Sequence, residues 1–265
     1  MAWQERNGNW LLIPARPQGI VHFLGGAFVA AAPQVTYRWL LEALYGEGYA
    51  VVATPFINTF DHEAIAEDVV TRFEGTLKRL RASGELLNRD LPIYGFGHSM
   101  GCKLHLLIGS TYEVARSGNI LMAFNNYPAK QAIPFFDQVA PNLSPFMAQV
   151  APTVRLDLEF TPSPEETLRL VDRDYAVERN LLIKFRSDNI DQTRAIATVL
   201  ERRFPQGTTV KRLNGNHLTP TAQDIQWQAN DNFSPFDALG QWMKQEFYRD
   251  INDLKIETLR WLSAG

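Results

Sequence analysis

One segment restricts the fold of this chain more than any other: residues 91–108, Leu-Pro-Ile-Tyr-Gly-Phe-Gly-His-Ser-Met-Gly-Cys-Lys-Leu-His-Leu-Leu-Ile. A β-rich run passes without a spacer through Gly97-His98-Ser99-Met100-Gly101 into a helical run. A strand that becomes a helix within so few residues needs a sharp, strained turn. Glycine two residues to either side of Ser99 removes the β-carbons that would strike neighbouring backbone. The rest of the sequence agrees with a strand-then-helix repeat. Near-continuous apolar runs at 10–13, 19–24, 49–54, 91–95, 119–124, 181–185 and 208–213 read as buried parallel strands. Between them Ile65, Val69, Phe73, Leu77 and Leu80, and then Ile196, Val199 and Leu200, recur at helical spacing. The expected fold class is α/β: a mostly parallel sheet with helices on both faces and right-handed crossovers. At 265 residues, 45% of them hydrophobic, the chain reads as a single domain over 1–265.

The alternation breaks between about 125 and 180, where Pro128, Pro134, Pro141, Pro145, Pro152, Pro162 and Pro164 stand among Phe135, Phe136, Phe146 and Met147. So long a stretch without a regular element is uncommon in a compact domain, and its aromatic content is unlike that of a disordered linker. It is expected to be an inserted lid or cap with short helices, one of them over 164–175. The stretch 234–262 reads as one or two helices with Phe236, Leu239, Trp242 and Met243 on one face.

Gly-x-Ser-x-Gly arises by chance in about one chain in ten to twenty of this length, so Ser99 needs partners before it means chemistry. Two loops supply them. After the strand at 181–185 comes Arg186-Ser187-Asp188-Asn189-Ile190-Asp191, and after that at 208–213 comes Asn214-Gly215-Asn216-His217. The order Ser99, Asp188, His217 is nucleophile, acid, base. His217 is expected to take the serine proton and later return it to the leaving group, while Asp188 fixes the imidazole tautomer. Asp191 is the rival acid. The bland alternatives are Ser99 as a helix cap, Asp188 as a cap for a helix starting near Asp191, and His217 as a loop histidine bonded to backbone. For the oxyanion, the N–H of Met100 at the helix start is one expected donor. The double glycine of Leu24-Gly25-Gly26-Ala27-Phe28 offers a second, Ala27 first and Phe28 next. Phe28, His62, Phe136 and Phe146 are the expected substrate-lining residues. His62 either rims the pocket or starts a helix capped by Asp61, with the cap favoured. His98 reads as structural or as a support behind the catalytic residues, His105 as a packing residue on the helix, His22 as lying within a strand, and Cys102, the sole cysteine, as a packing residue.

Other function classes lose support. A net charge of -3 offers no field for nucleic acid or an anionic membrane. A single cysteine excludes a disulfide framework and fits a reducing, cytoplasmic compartment. No apolar run reaches transmembrane length, and residues 1–6 do not read as a leader. No spacing suits zinc, and Gly95-Phe96-Gly97 lacks the remaining glycine of a dinucleotide fingerprint, so neither metal nor cofactor is expected.

Elbow, acid and histidine together resemble the α/β-hydrolase superfamily. More narrowly, His22-Phe-Leu-Gly-Gly-Ala-Phe28, Thr54-Pro55 with Phe60-Asp61-His62, Gly97-His-Ser-Met-Gly101 and Gly215-Asn-His217-Leu-Thr-Pro220 resemble an uncharacterised hydrolase-like family of cyanobacteria and plant plastids, domain of unknown function 1350. The resemblance implies the hydrolase fold and a photosynthetic-lineage origin, and supplies no substrate. Gly25 stands where many superfamily members carry histidine before the oxyanion-loop glycine. The expected function is a serine hydrolase acting on a small-molecule carboxylic ester with an apolar part. The alternatives are a thioesterase or amidase of the same mechanism, and a binding protein that keeps the fold without turnover.

Overall fold

The computed structural model describes residues 2–27, 29–128, 159–221 and 235–264. Among the described residues eight strands form one sheet: β1 Gln4–Arg6, β2 Asn9–Leu12, β3 Gly19–Leu24, β4 Tyr49–Ala53, β5 Ile93–His98, β6 Gly118–Met122, β7 Asn180–Phe185 and β8 Thr208–Leu213. Their spatial order is β1-β2-β4-β3-β5-β6-β7-β8. β1 pairs antiparallel with β2 and β2 antiparallel with β4, whereas β3 to β8 are all parallel to their neighbours. Every residue of β3, β4, β5 and β6 is buried, which is why these strands read as near-continuous apolar runs. The terminal strands differ. β1 is exposed throughout, and β8 is exposed at Val210 and Arg212.

The two-residue strand period divides the core. Val21 and Phe23 of β3 face one side, where they join Val51, Phe96, Ile120 and Ile183. Two helices cover that side: α2 Arg38–Gly46, which follows the short α1 Pro33–Thr36, through Leu40, Leu41 and Leu44, and the C-terminal helix Pro235–Ser263 through Leu254 and Leu262. The opposite face is covered by α3 His62–Ala82, α4 Met100–Thr111, α5 Pro164–Asp174 and α6 Thr193–Arg203. Ile65, Val69, Phe73, Leu77 and Leu80 of α3 are all buried, as the helical spacing requires. Asp61 caps α3 by accepting from Ala64 N–H at 2.9 Å. Ser163 and Glu166 close a reciprocal capping box on α5. The C-terminal helix, α7, is one continuous element.

Two differences from the expected elements have physical causes. β1 was not expected, because Gln-Glu-Arg has neither an apolar run nor alternation; its register with β2 makes it a strand. β5 runs past Gly95 to His98, since pairing to β3 and β6 on both sides overrides the low strand propensity of glycine. Residues 129–158, the bulk of the expected lid, lie outside the described residues. Where the chain returns, His62 and Glu63 N–H groups donate to Thr161 O at 2.8 and 3.1 Å.

β3 lies between β4 and β5, so the chain moves outward from β3 to β4 and then crosses back to β5. The crevice beyond the carboxyl ends of β3 and β5 is the switch point of this sheet, the place where such folds hold ligands. The loop carrying Ala27 leaves β3 there, and Ser99 leaves β5.

Candidate active site

Ser99 has φ 54° and ψ -117°, a region that residues with a side chain rarely occupy. The turn is tight enough that its two glycines are obligatory. A β-carbon on Gly97 would lie 2.7 Å from Cys102 N, and one on Gly101 would lie 2.1 Å from Leu24 O. Gly97 therefore admits the helix to the strand, and Gly101 admits the helix to the end of β3. Ser99 N–H donates to Met122 O at 2.9 Å, tying the turn to β6. Its side chain does not cap α4. Met100 is the first residue of α4, so its N–H has no carbonyl partner within the helix.

The two partner loops converge on this hydroxyl. His217 Nε2 lies 3.0 Å from Ser99 Oγ, and His217 Nδ1 lies 2.8 Å from Asp188 Oδ2. A carboxylate only accepts, so Nδ1 carries the proton and Nε2 is free to accept from the serine. The Asp188 side chain is fully buried and its other oxygen, Oδ1, accepts from Ile190 N–H at 3.0 Å. The rival Asp191 is committed elsewhere. Its carboxylate accepts from Lys184 Nζ at 2.6 Å, Thr193 N–H at 3.1 Å and Thr193 Oγ1–H at 2.7 Å, holding the start of α6. Gly215, at φ 109°, and the bond from Asn216 N–H to Thr219 Oγ1 at 2.9 Å shape the loop that presents His217.

The loop after β3 passes directly beside the serine: a β-carbon on Gly26 would lie 3.3 Å from Ser99 Cβ. Val29 N–H closes a turn onto Gly26 O at 3.1 Å, and Ala27 sits on that turn with its N–H outside the closing bond. Tyr37, which sequence reasoning missed, reaches this loop from the residue preceding α2. Its hydroxyl accepts from Gly26 N–H at 2.8 Å and contacts His98 Nδ1 at 2.8 Å. His98 Nε2 in turn lies 2.9 Å from His217 O.

The remaining expected residues fall in three groups. His62 opens α3 and is buried, its ring stacked on Phe160 with centroids 4.3 Å apart. Burial, with Lys103 nearby, lowers its pKa to about 3. Lys103, in the second turn of α4, is itself buried and donates to Pro162 O at 2.7 Å; burial lowers its pKa to about 7. His22, His105 and Cys102 pack in the core, and His22 stacks on Phe73 at 4.0 Å. Burial holds both imidazoles below their ordinary range, His105 at about 3. Phe28, Phe136 and Phe146 lie outside the described residues. Among the described residues, no group of three or more His, Cys, Asp or Glu is placed to hold a metal, and no helix is long and apolar enough to cross a membrane.

The family model described as a protein of unknown function, DUF1350, matches residues 2–264. The chain belongs to this family. Comparison with curated proteins by sequence finds no match. Solved structures resemble it at low identity. A soluble variant of monoglyceride lipase from Saccharomyces cerevisiae, in complex with a substrate analog, has a TM-score of 0.58 at 15% identity, covering 98% of this chain and 94% of that one. Carboxyl esterase 2 from the mycorrhizal fungus Tuber melanosporum has a TM-score of 0.55 at 19% identity, covering 81% and 73%. An esterase from Pyrococcus furiosus has a TM-score of 0.54 at 14% identity, covering 91% and 84%. The likeness is one of fold, and this member of the DUF1350 family has the α/β-hydrolase fold.

Proposed function

We propose that the chain is a serine hydrolase that cleaves a carboxylic ester through an acyl-enzyme intermediate. The observation that carries this reading is the unbroken line from Ser99 Oγ through the His217 ring to a buried Asp188 carboxylate. Ser99 Oγ attacks the ester carbonyl while its proton moves to His217 Nε2. The imidazolium is stabilised by Asp188, and it returns the proton to the alcohol oxygen as the C–O bond breaks. Water then attacks the acyl carbonyl, giving its proton to the same nitrogen, and collapse of the second tetrahedral species releases the acid and restores Ser99. The N–H groups of Met100 and Ala27 stabilise the oxyanion in both steps, each donor contributing about 2.7–4 kcal/mol in comparable sites.

The test is a fluorophosphonate probe, which reacts with an activated serine and not with an ordinary one. Labelling that maps to Ser99 and disappears in Ser99→Ala supports the reading. An unlabelled wild-type protein would replace it with that of a binding protein on a hydrolase fold.

A further inference from the structure

We propose that Tyr37 and His98 are positioning residues: a directed relay that locks the oxyanion loop and the His217 loop to the nucleophile turn. The proposal rests on the hydrolase reading above.

The polarity of the relay follows from its two ends. His217 O is a carbonyl and only accepts, so His98 Nε2 carries the proton and donates at 2.9 Å. His98 Nδ1 is then an acceptor, and Tyr37 O–H must donate to it at 2.8 Å. The phenol oxygen is left as acceptor for Gly26 N–H, also at 2.8 Å. Every hydrogen in the line Gly26 N–H, Tyr37 O–H, His98 Nε2–H, His217 O has one direction only. Burial supports this arrangement by keeping the imidazole neutral and the phenol protonated.

Each contact has a consequence. Gly26 N–H belongs to the peptide just before the one that presents Ala27 N–H, so the bond to Tyr37 anchors the backbone that leads into the oxyanion donor. The carbonyl that His98 grips belongs to His217 itself, so the grip fixes the backbone from which the base projects. His98 is the residue before Ser99, so both loops are referred to the nucleophile's own neighbour. The same contacts explain Gly25. A β-carbon there would lie 2.8 Å from Tyr37 Cε2, so the tyrosine ring fills the space that a side chain at position 25 requires. In this chain the prop for the oxyanion loop comes from Tyr37, and the loop position is glycine to admit it.

The experiment measures, per folded molecule, the rate constant for labelling of Ser99 by an alkyl fluorophosphonate, and kcat and KM for p-nitrophenyl acetate. Tyr37→Phe keeps the ring and removes the hydroxyl. His98→Gln keeps a donor for His217 O, and His98→Leu removes both bonds. The expected result is a 10- to 100-fold fall in labelling rate and in kcat for Tyr37→Phe with KM nearly unchanged, a larger fall for His98→Leu, and partial recovery in His98→Gln. Nitrogen NMR of wild-type protein should find the His98 Nε2–H tautomer. If Tyr37→Phe labels and turns over at the wild-type rate while only its melting temperature falls, or if His98 is the Nδ1–H tautomer, the relay is overturned and the hydrolase reading stands. If wild-type Ser99 is not labelled, both fall together.

Discussion

At the scale of single residues, the two aspartates after β7 separate cleanly. Asp188→Asn leaves a neutral amide facing His217 Nδ1 and should cost about 10⁴-fold in kcat, as loss of the tautomer-fixing acid does in comparable triads. Asp191→Asn removes a charge from Lys184 and weakens the start of α6. It should lower stability by about 1–3 kcal/mol, the usual cost of a broken buried charged bond, with far less effect on turnover. Chemical denaturation and ester kinetics on both variants check the ranking. Ser99→Ala and His217→Ala should each fold and each lose several orders of magnitude of activity. That Ser99, Asp188 and His217 come together could be anticipated from the sequence because each follows a recognisable strand within a few positions, which limits where its side chain emerges. Asp188 is the first choice there and Asp191 its rival, because the conformation of the loop between them decides which carboxylate turns inward. Tyr37 was invisible for a different reason: no motif surrounds it, and its partners lie 11 and 61 residues away.

Among the elements, the junction of β3 with α4 is the tightest. Gly101→Ala would place a methyl group against Leu24 O, where backbone on both sides cannot move apart without disturbing β3. The cost should reach or exceed the upper end of the about 1–3 kcal/mol typical of overpacking, read as a fall in denaturation midpoint at constant slope. Lys103 gives α4 a pH-dependent character. Its folded pKa of about 7 lies below the unfolded 10.5, so between those values the unfolded chain binds the extra proton. The resulting penalty on folding is fully present below pH 7 and fades as pH rises toward 10.5. Relative to wild type, Lys103→Met should therefore gain most near pH 6 and lose that advantage by about 1.4 kcal/mol per pH unit above pH 7. Denaturation at pH 6, 8 and 9.5 checks it; a constant difference would show that Lys103 is not neutralised by burial. Amphipathic spacing made α3 and α6 readable from sequence, because a surface helix must bury one stripe. β1 escaped because its residues bury nothing and pairing alone defines it.

For the molecule as a whole, four of the five histidines, His22, His62, His98 and His105, are buried, and burial lowers the pKa of each. Above about pH 6.5 both folded and unfolded forms are neutral at these positions, and nothing is lost. Below it the unfolded chain gains protons that the native fold refuses, so stability falls with acidification. Each group contributes about 1.4 kcal/mol per pH unit, and four together about 5.5. A domain of ordinary stability should thus unfold between about pH 4 and 5.5. Circular dichroism across that range checks it; a native spectrum held to pH 3 would refute it. His105→Asn should shift the midpoint downward if the variant folds. The rims of the sheet set a different kind of limit. An open sheet offers unpaired backbone at each end, and any flat, apolar rim is a template on which a second chain can add strands without end. Here one rim is Gln4-Glu5-Arg6, exposed throughout, and the other carries Lys211 and an exposed Arg212. Charge at both rims makes a ninth strand from a neighbouring molecule costly, and it opposes ribbon-like polymerisation at the two rims of the sheet that the described residues form.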